Sequence, residues 1–432
     1  MTIFQLAWRN IIKHPLNLLM SIILFGLGVG LISFLLLFNT QLKDKFDKNL
    51  AGIDLVVGAK GSPLQMILCS MYHIDNPTGN LSIKTASPLL RNNHPLIKKA
   101  IPLSLGDNYK SYRIVGTNHD ILELYGGALK EGRLWEEDFD VTIGKSVADE
   151  TGLKTGDKFV SSHGFQDDSD LAHEHSGFLV TGILSPTGSV LDQLILTNTA
   201  SIWKVHEHES EDTSPDEHHD AEGHDHDAEG HDHTQHTYAN DNAGLLEHPE
   251  QEVTSILIQY KNRTNFQALN FGRNINENTD MQAASPAIEI NRLYNMIGVG
   301  TDALRGLAIL ISLVSALSIF ISLFKSMRER KYELALIRVL GASRFKLFGL
   351  IVLEGLILAF IGWLIGTALS HTGVELIAGY LKSDFRYSFT GWKFISEEWL
   401  ILAVSLMLGF VAAIIPAVQA AKTDINKTLS QK

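Results

Sequence analysis

A single cysteine, Cys69, stands in the 432 residues of this chain. That excludes an intramolecular disulfide framework and any metal site built from cysteines. A phosphate-binding loop is missing too. Gly58 to Gly61 has the glycines of one but lacks the GK[ST] ending, and no other stretch supplies it. ATP binding by this chain is therefore not expected. Nor is a basic patch of the kind that contacts nucleic acid present. The net charge of −12 is local: His206 to His236 holds twelve Asp plus Glu and no Lys or Arg, and the rest carries 36 basic and 36 acidic residues. No nucleophile–base constellation is visible, so the chain is not expected to be an enzyme.

What is present in quantity is apolar sequence. Leu16 to Phe38 runs 23 residues without a charge, enough to cross about 30 Å of hydrocarbon. It is too long for a signal-peptide core, and no small-residue cleavage site follows, so it reads as a retained helix. Three more runs follow at Leu304–Phe324, Leu347–Ser370 and Trp399–Ala420. Arg9 and Lys13 precede the first span, seven basic residues fill the loop from Lys325 to Lys346, and Lys422 and Lys427 follow the last. By the bias of basic residues to the inner side, these ends face the cytoplasm. The roughly 265 residues from Asn39 to Ala303 then lie outside. Gly26 with Gly30, and Gly362 with Gly366, form small-xxx-small pairs that let helix backbones approach. Glu354 is the one acidic residue clearly within a span, about two turns from its inner end and within reach of the basic loop.

Between the first and second spans the pattern changes. Leu42, Phe46, Leu50 and Ile53, and later Ile290, Leu293, Ile297 and Leu304, repeat at helical spacing. They suggest a paired stalk, or two ordinary helices packed on an outer domain. Strand-like runs fall at Asp54–Val57, Tyr112–Gly116, Phe139–Ile143, Phe178–Leu184, Gln193–Thr197 and Val253–Tyr260, with a short helix at Ser146–Thr151 and turns at Gly132 and Gly156. The expected fold is a membrane protein of four transmembrane α-helices with a large α+β extracytoplasmic domain between helices 1 and 2. Asp54 to Asn80 reads as an apolar loop rich in glycine and proline.

The stretch Arg328 to Ala342, RERKYELALIRVLGA, is charged and helical in period. Tyr332, Leu336, Val339 and Leu340 give one apolar stripe, Gly341 is a stop signal, and Ser343 can cap the next helix. It is either a short amphipathic helix at the membrane surface or a basic linker. Arg328 to Gly362, the tail Pro416 to Leu429 (PAVQAAKTDINKTL) and the start Ala7 to Gly30 together resemble the FtsX/MacB/LolC-type permease family of ABC transporters. Glu131 to Phe159 is similar to the periplasmic core of MacB-type permeases. The resemblance implies a non-catalytic permease subunit in the bacterial inner membrane, with ATP on a separate cytoplasmic ABC ATPase. It implies coupling through Arg328, Glu329, Arg330, Glu333, Arg338, Gly341 and Ala342, and packing of membrane helices through Gly26, Gly30, Gly362, Gly366 and Glu354. It further implies a second permease copy, as homo- or heterodimer, and mechanical work on a periplasmic or outer-membrane client such as a lipoprotein or export cargo.

Domain boundaries are expected at 1–38, 39–303, 304–424 and 425–432, with an insert at 206–248. Ten of the 18 histidines lie from His206 to His248, and AEGHDHD is followed by AEGHDH. His-x-His beside carboxylates suits zinc or another divalent metal, with His206, His208, His218, His219, His224, His226, His231, His233 and His236 as candidate ligands. His163, His173 and His175 form a sparser cluster. A secondary divalent-metal transporter or a membrane metal sensor is the alternative function, though the spans carry no metal ligands at mid-membrane.

Overall fold

The computed structural model describes residues 3–13, 15–163, 172–212, 242–384 and 389–422. In chain order, α1 (Ile3–Lys13) and α2 (Pro15–Leu50) lead into β1 (Leu55–Ala59), α3 (Pro63–Tyr72), β2 (Leu81–Ser82) and α4 (Ile83–Leu90). Then come β3 (Ile97–Tyr109), β4 (Tyr112–Gly116), α5 (Asp120–Tyr125), β5 (Leu129–Gly132), β6 (Asp140–Ile143) and α6 (Lys145–Thr151). Next are β7 (Lys158–His163), β8 (Ala172–Leu184), β9 (Ile195–Thr197), α7 (Thr199–Asp212) and α8 (Ala243–Leu246). The chain continues with β10 (Glu252–Val253), β11 (Ser255–Tyr260), α9 (Phe266–Asn278) and β12 (Met281–Ala284). It closes with α10 (Pro286–Glu329), α11 (Lys331–Val339), α12 (Arg344–Asp384) and α13 (Glu397–Ala421). Two compact units result, residues 45–294 and residues 1–44 with 295–432, and both α2 and α10 contribute residues to each.

The unit of residues 45–294 is an α/β domain on a ten-stranded mixed sheet, ordered β12-β1-β11-β3-β4-β9-β6-β8-β5, with β7 pairing both β3 and β8. The thirteen-residue β3 serves two neighbourhoods. Its first half pairs with β11, its second half with β4 and β7, and the register shifts between Leu105 and Asn108. The ladder β3-β4-β9-β6-β8-β7 closes on itself around Ile114, Val141, Phe159, Phe178 and Ile195. A second core, with Val57, Ile83, Leu90, Ile256 and Ile275, sits under α4 and α9. β4–β9 and β6–β8 are parallel pairs, each joined by long intervening chain.

Local chemistry sets several boundaries. Gly132 and Gly156 sit at φ +80° and +97°, at the two turn positions expected from sequence. Asp54 to Asn80 is not a loop throughout. Ser62 caps α3 by accepting from Gln65 N at 3.4 Å, Pro63 opens the helix, and Met66, Ile67, Met71 and Tyr72 are buried. The flanking Gly and Pro residues are the punctuation of that helix and mask it in sequence. Tyr72 packs on Phe46 at 4.7 Å between ring centroids and donates to the Phe46 carbonyl, and Tyr294 meets Phe46 edge-on. α2 stops at Leu50, because Ala51 and Gly52 both take positive φ, so Ile53 does not extend the helical stripe.

The other unit is helical. Among the described residues, four helices are long and apolar enough to cross a membrane: Leu19–Leu50, Pro286–Glu329, Arg344–Gly379 and Glu397–Ala421. Phe25, Val29, Ile319, Leu323, Leu358 and Ala413 make their shared core. Backbone contact between α2 and α12 depends on glycine. A Cβ on Gly366 would stand 2.6 Å from the Gly26 carbonyl oxygen and 2.9 Å from Gly30 N, and one on Gly362 would meet the Phe25 ring. α12 and α13 repeat the device with Gly355 against Gly409, flanked by Ala359 and Ala413.

Candidate functional site

α11 is a nine-residue helix between two candidate spans. Leu334 is buried with Met327, Leu347, Leu350, Ile351 and Ala417, and Ala335 is buried beside it in the helix. Tyr332, Leu336, Val339 and Leu340 form the opposite, exposed face, Leu340 being 80% exposed, and Phe345 at the start of α12 extends it. Glu333 sits in the first turn and Arg338 in the last, each at the helix end where its charge is favoured. Gly341 ends the helix at φ +98°, where its amide donates to the Arg338 carbonyl at 3.0 Å and Ala342 N donates to Ile337 O at 3.1 Å. Only glycine holds that backbone without strain. Ser343 then accepts from Lys346 N at 3.4 Å, opening α12.

Behind α11 lies a buried polar lock. Arg330 is 6% exposed and Glu354, on α12, 2%. Arg330 Nη2 donates to Glu354 Oε2 at 3.1 Å and to Ser326 Oγ at 2.6 Å, and its Nε donates to the Ser326 carbonyl. The second carboxylate oxygen accepts from Asn10 Nδ2 of α1 at 2.8 Å. One acidic side chain thus joins α1, the end of α10 and α12 just where α11 begins. A buried pair of this kind needs its remaining hydrogen bonds filled, and Asn10 and Ser326 fill them.

The structure therefore divides the residues of the 328–342 stretch. Arg328, Glu329, Glu333 and Gly341 are exposed, Arg338 and Ala342 are half-buried, and Arg330 is interior. Arg330 cannot be a surface contact; it belongs with Glu354 in the lock that sets the helix. Asn10 has no special signal in sequence, because a lone Asn in an amphipathic helix is indistinguishable from a surface residue. Gly26, Gly30, Gly362 and Gly366 come together on one α2–α12 seam.

The histidine candidates stand apart. His218, His219, His224, His226, His231, His233 and His236 lie outside the described residues, as do the side chains of His206 and His208 on α7 and of His163, His173 and His175. No group of three metal-ligating side chains occurs among the described residues.

The family model described as "FtsX-like permease C-terminal" matches residues 305–425, which take in α11, the Arg330–Glu354 pair of the lock and most of the last three candidate spans. The chain carries an FtsX-like permease domain. This assignment implies a membrane setting and a partner ATPase subunit. No curated protein matches the chain. Among solved structures, the chain is similar to the extracellular domain of the noncanonic ABC-type transporter YknZ from Gram-positive bacteria, at 12% identity and a TM-score of 0.29, over 54% of this chain and 99% of that one. A likeness that low transfers neither geometry nor function. The FtsX-like assignment rests on the C-terminal match, and the sites named above lie within it, apart from Asn10, Gly26 and Gly30.

Proposed function

We propose that the chain is the permease subunit of an ABC assembly, with α11 docking on a separate cytoplasmic ATPase and the α/β domain doing mechanical work on a client outside the membrane. The observation that carries this reading is an apolar face on a short helix between two candidate spans, backed by a buried ion pair. A membrane-surface helix with no partner gains nothing from being pinned at its root; one that transmits force does. The lock makes α11 move as one body with α1 and α12. Both α2 and α10 contribute to the α/β unit as well as to the helical one, which suits transmission along helices rather than passage of cargo through a pore. The permease subunit is non-catalytic in this reading and works as a homo- or heterodimer.

A metal-linked role of the histidine tract is a second element of the proposal, supported by its composition. Its imidazoles must be neutral to bind a divalent ion, so capture weakens as pH falls through the histidine range.

Photo-crosslinking tests the docking surface. A benzophenone amino acid at Leu336 or Leu340 is expected to link the full chain to the ATPase, and one at Phe266 in the α/β domain is not. Absence of ATPase adducts from both α11 positions would remove the proposal.

A further inference from the structure

The chain between α12 and α13, over its described residues 389–396, is tied to the helices around it. Gly391 N donates to Glu375 Oε2 of α12 at 2.7 Å. Gln41 of α2 donates to the Thr390 carbonyl at 2.8 Å and accepts from Thr390 N at 3.0 Å, and Lys393 pairs with Asp44 of α2 at 2.7 Å. A Cβ on Gly391 would run into the carbonyl oxygen of His371, so glycine lets this segment rest on α12.

His371 stands at the centre of these ties. Its Nδ1 meets the Gly391 carbonyl oxygen, and its Nε2 meets Glu398 Oε1 of α13 at 3.0 Å. Glu398 is buried and His371 half-buried, with the Phe394 ring 4.7 Å from the imidazole. A carbonyl only accepts, and so does a carboxylate, whereas a neutral imidazole brings one donor and one acceptor. In either neutral tautomer, one ring nitrogen would turn a lone pair towards another lone pair. Both contacts become hydrogen bonds only when His371 and Glu398 together hold a second proton. Among the described residues, the charged groups on the elements packed around the imidazole have tasks of their own. Glu375 accepts from the Gly391 amide, Lys393 is paired with Asp44, and Glu397 accepts from Ser396 Oγ. The second proton therefore belongs to His371 and Glu398.

We propose that His371 and Glu398 form a proton-binding site that clasps the 389–396 segment to α12, at the end of the helical unit from which α2 runs on into the α/β unit. With the proton bound, Nδ1–H holds the Gly391 carbonyl and the second proton lies between Nε2 and Glu398 Oε1. When pH rises and one proton leaves, the remaining N–H stays with the carboxylate, the stronger acceptor. Nδ1 then faces the Gly391 carbonyl with a lone pair, that bond is lost, and the segment loosens from α12. Low pH closes the clasp and high pH opens it. The Arg330–Glu354 lock, nearer the other end of α12, cannot switch in this way, because arginine keeps its proton. The inference does not depend on what α11 binds.

Amide hydrogen exchange of the full chain in detergent, corrected at each pH for the intrinsic rate of an unprotected amide, tests this. It reads the N–H groups of Thr390, Gly391 and Trp392, all of which donate in the clasped segment. In wild type their protection is expected to fall about tenfold between about pH 5 and about pH 8, the window in which histidine switches work, as one hydrogen bond is lost. Glu398→Gln separates a switch from a merely structural contact. Its side-chain amide donates to Nε2 of a neutral imidazole and so keeps the ring proton on Nδ1, and the segment should stay protected over the whole range. His371→Gln should exchange at a rate that pH does not move; if it fails to fold, the isosteric Glu398→Gln still decides. Wild-type protection that does not change with pH, or protection in Glu398→Gln that falls as in wild type, would overturn the assignment.

Discussion

Arg330 and Glu354 are worth most to this molecule as a pair. Removing one partner of a buried ion pair leaves the other charged and unsolvated, at a cost of about 3–5 kcal/mol, whereas replacing both by apolar groups is often neutral. Glu354→Ala should therefore destabilise the helical unit by that amount, and Arg330→Met with Glu354→Leu should cost far less. Thermal unfolding of the detergent-solubilised chain distinguishes the two, and a double variant that loses as much as Glu354→Ala or more would contradict this expectation. His73 makes a separate case in the α/β domain. It is half-buried beside Arg113, with its Nδ1 shut off from solvent, and that desolvation first, then the cation, lowers its pKa to about 3. The unfolded chain takes up a proton near pH 6.5 that the folded chain refuses. Stability should thus fall as pH drops from about 6.5 towards 3, with a slope of at most about 1.4 kcal/mol per pH unit, and be unaffected above. His73→Phe is expected to flatten that slope in urea titrations at fixed pH values, and an unchanged slope would mean that other groups carry it.

At the scale of elements, the α2–α12 seam is the most exacting contact. A Cβ on Gly366 meets backbone atoms of Gly26 and Gly30, which cannot step aside, whereas one on Gly379 of the same helix meets nothing within 4 Å. Gly366→Leu should cost about 1–3 kcal/mol or more from overpacking, and Gly379→Ala should be neutral or stabilising by up to about 1 kcal/mol; melting temperatures of the two variants in one detergent decide it. Sequence shows the two glycine pairs, Gly26 with Gly30 in the first apolar run and Gly362 with Gly366 in the third, but their spacing fits plain tolerance of glycine in membrane helices equally well and does not say which pair meets which. The four long helices were legible, because apolar runs of about 20 residues have few other readings. α3 was not, since Gly58, Gly61 and Pro63 suggest a loop until the Ser62 cap is seen. The strand pairings were hidden too. β4 lies parallel to β9 and β6 parallel to β8, partners set by closure of a sheet and not by local pattern. Nor did charge alone separate Arg330 from Arg328, because both lie in one basic run and only packing sends one of them inward.

For the molecule as a whole, the chain separates into two units of different build. The helical unit holds the FtsX-like domain, the lock and the exposed face of α11, and the α/β unit presents a large sheet-built body between its first two spans. The claim that joins them is that α11 receives work done by an ATPase. The measurement that tests it most directly is ATP turnover by the proposed partner ATPase reconstituted with the full chain, comparing wild type with Val339→Asp and Leu340→Asp. Both substitutions change only exposed positions and should leave folding intact. Losing an apolar anchor at the centre of an interface is expected to lower binding and permease-dependent turnover by roughly tenfold or more. Wild-type turnover and binding in both variants would contradict the account.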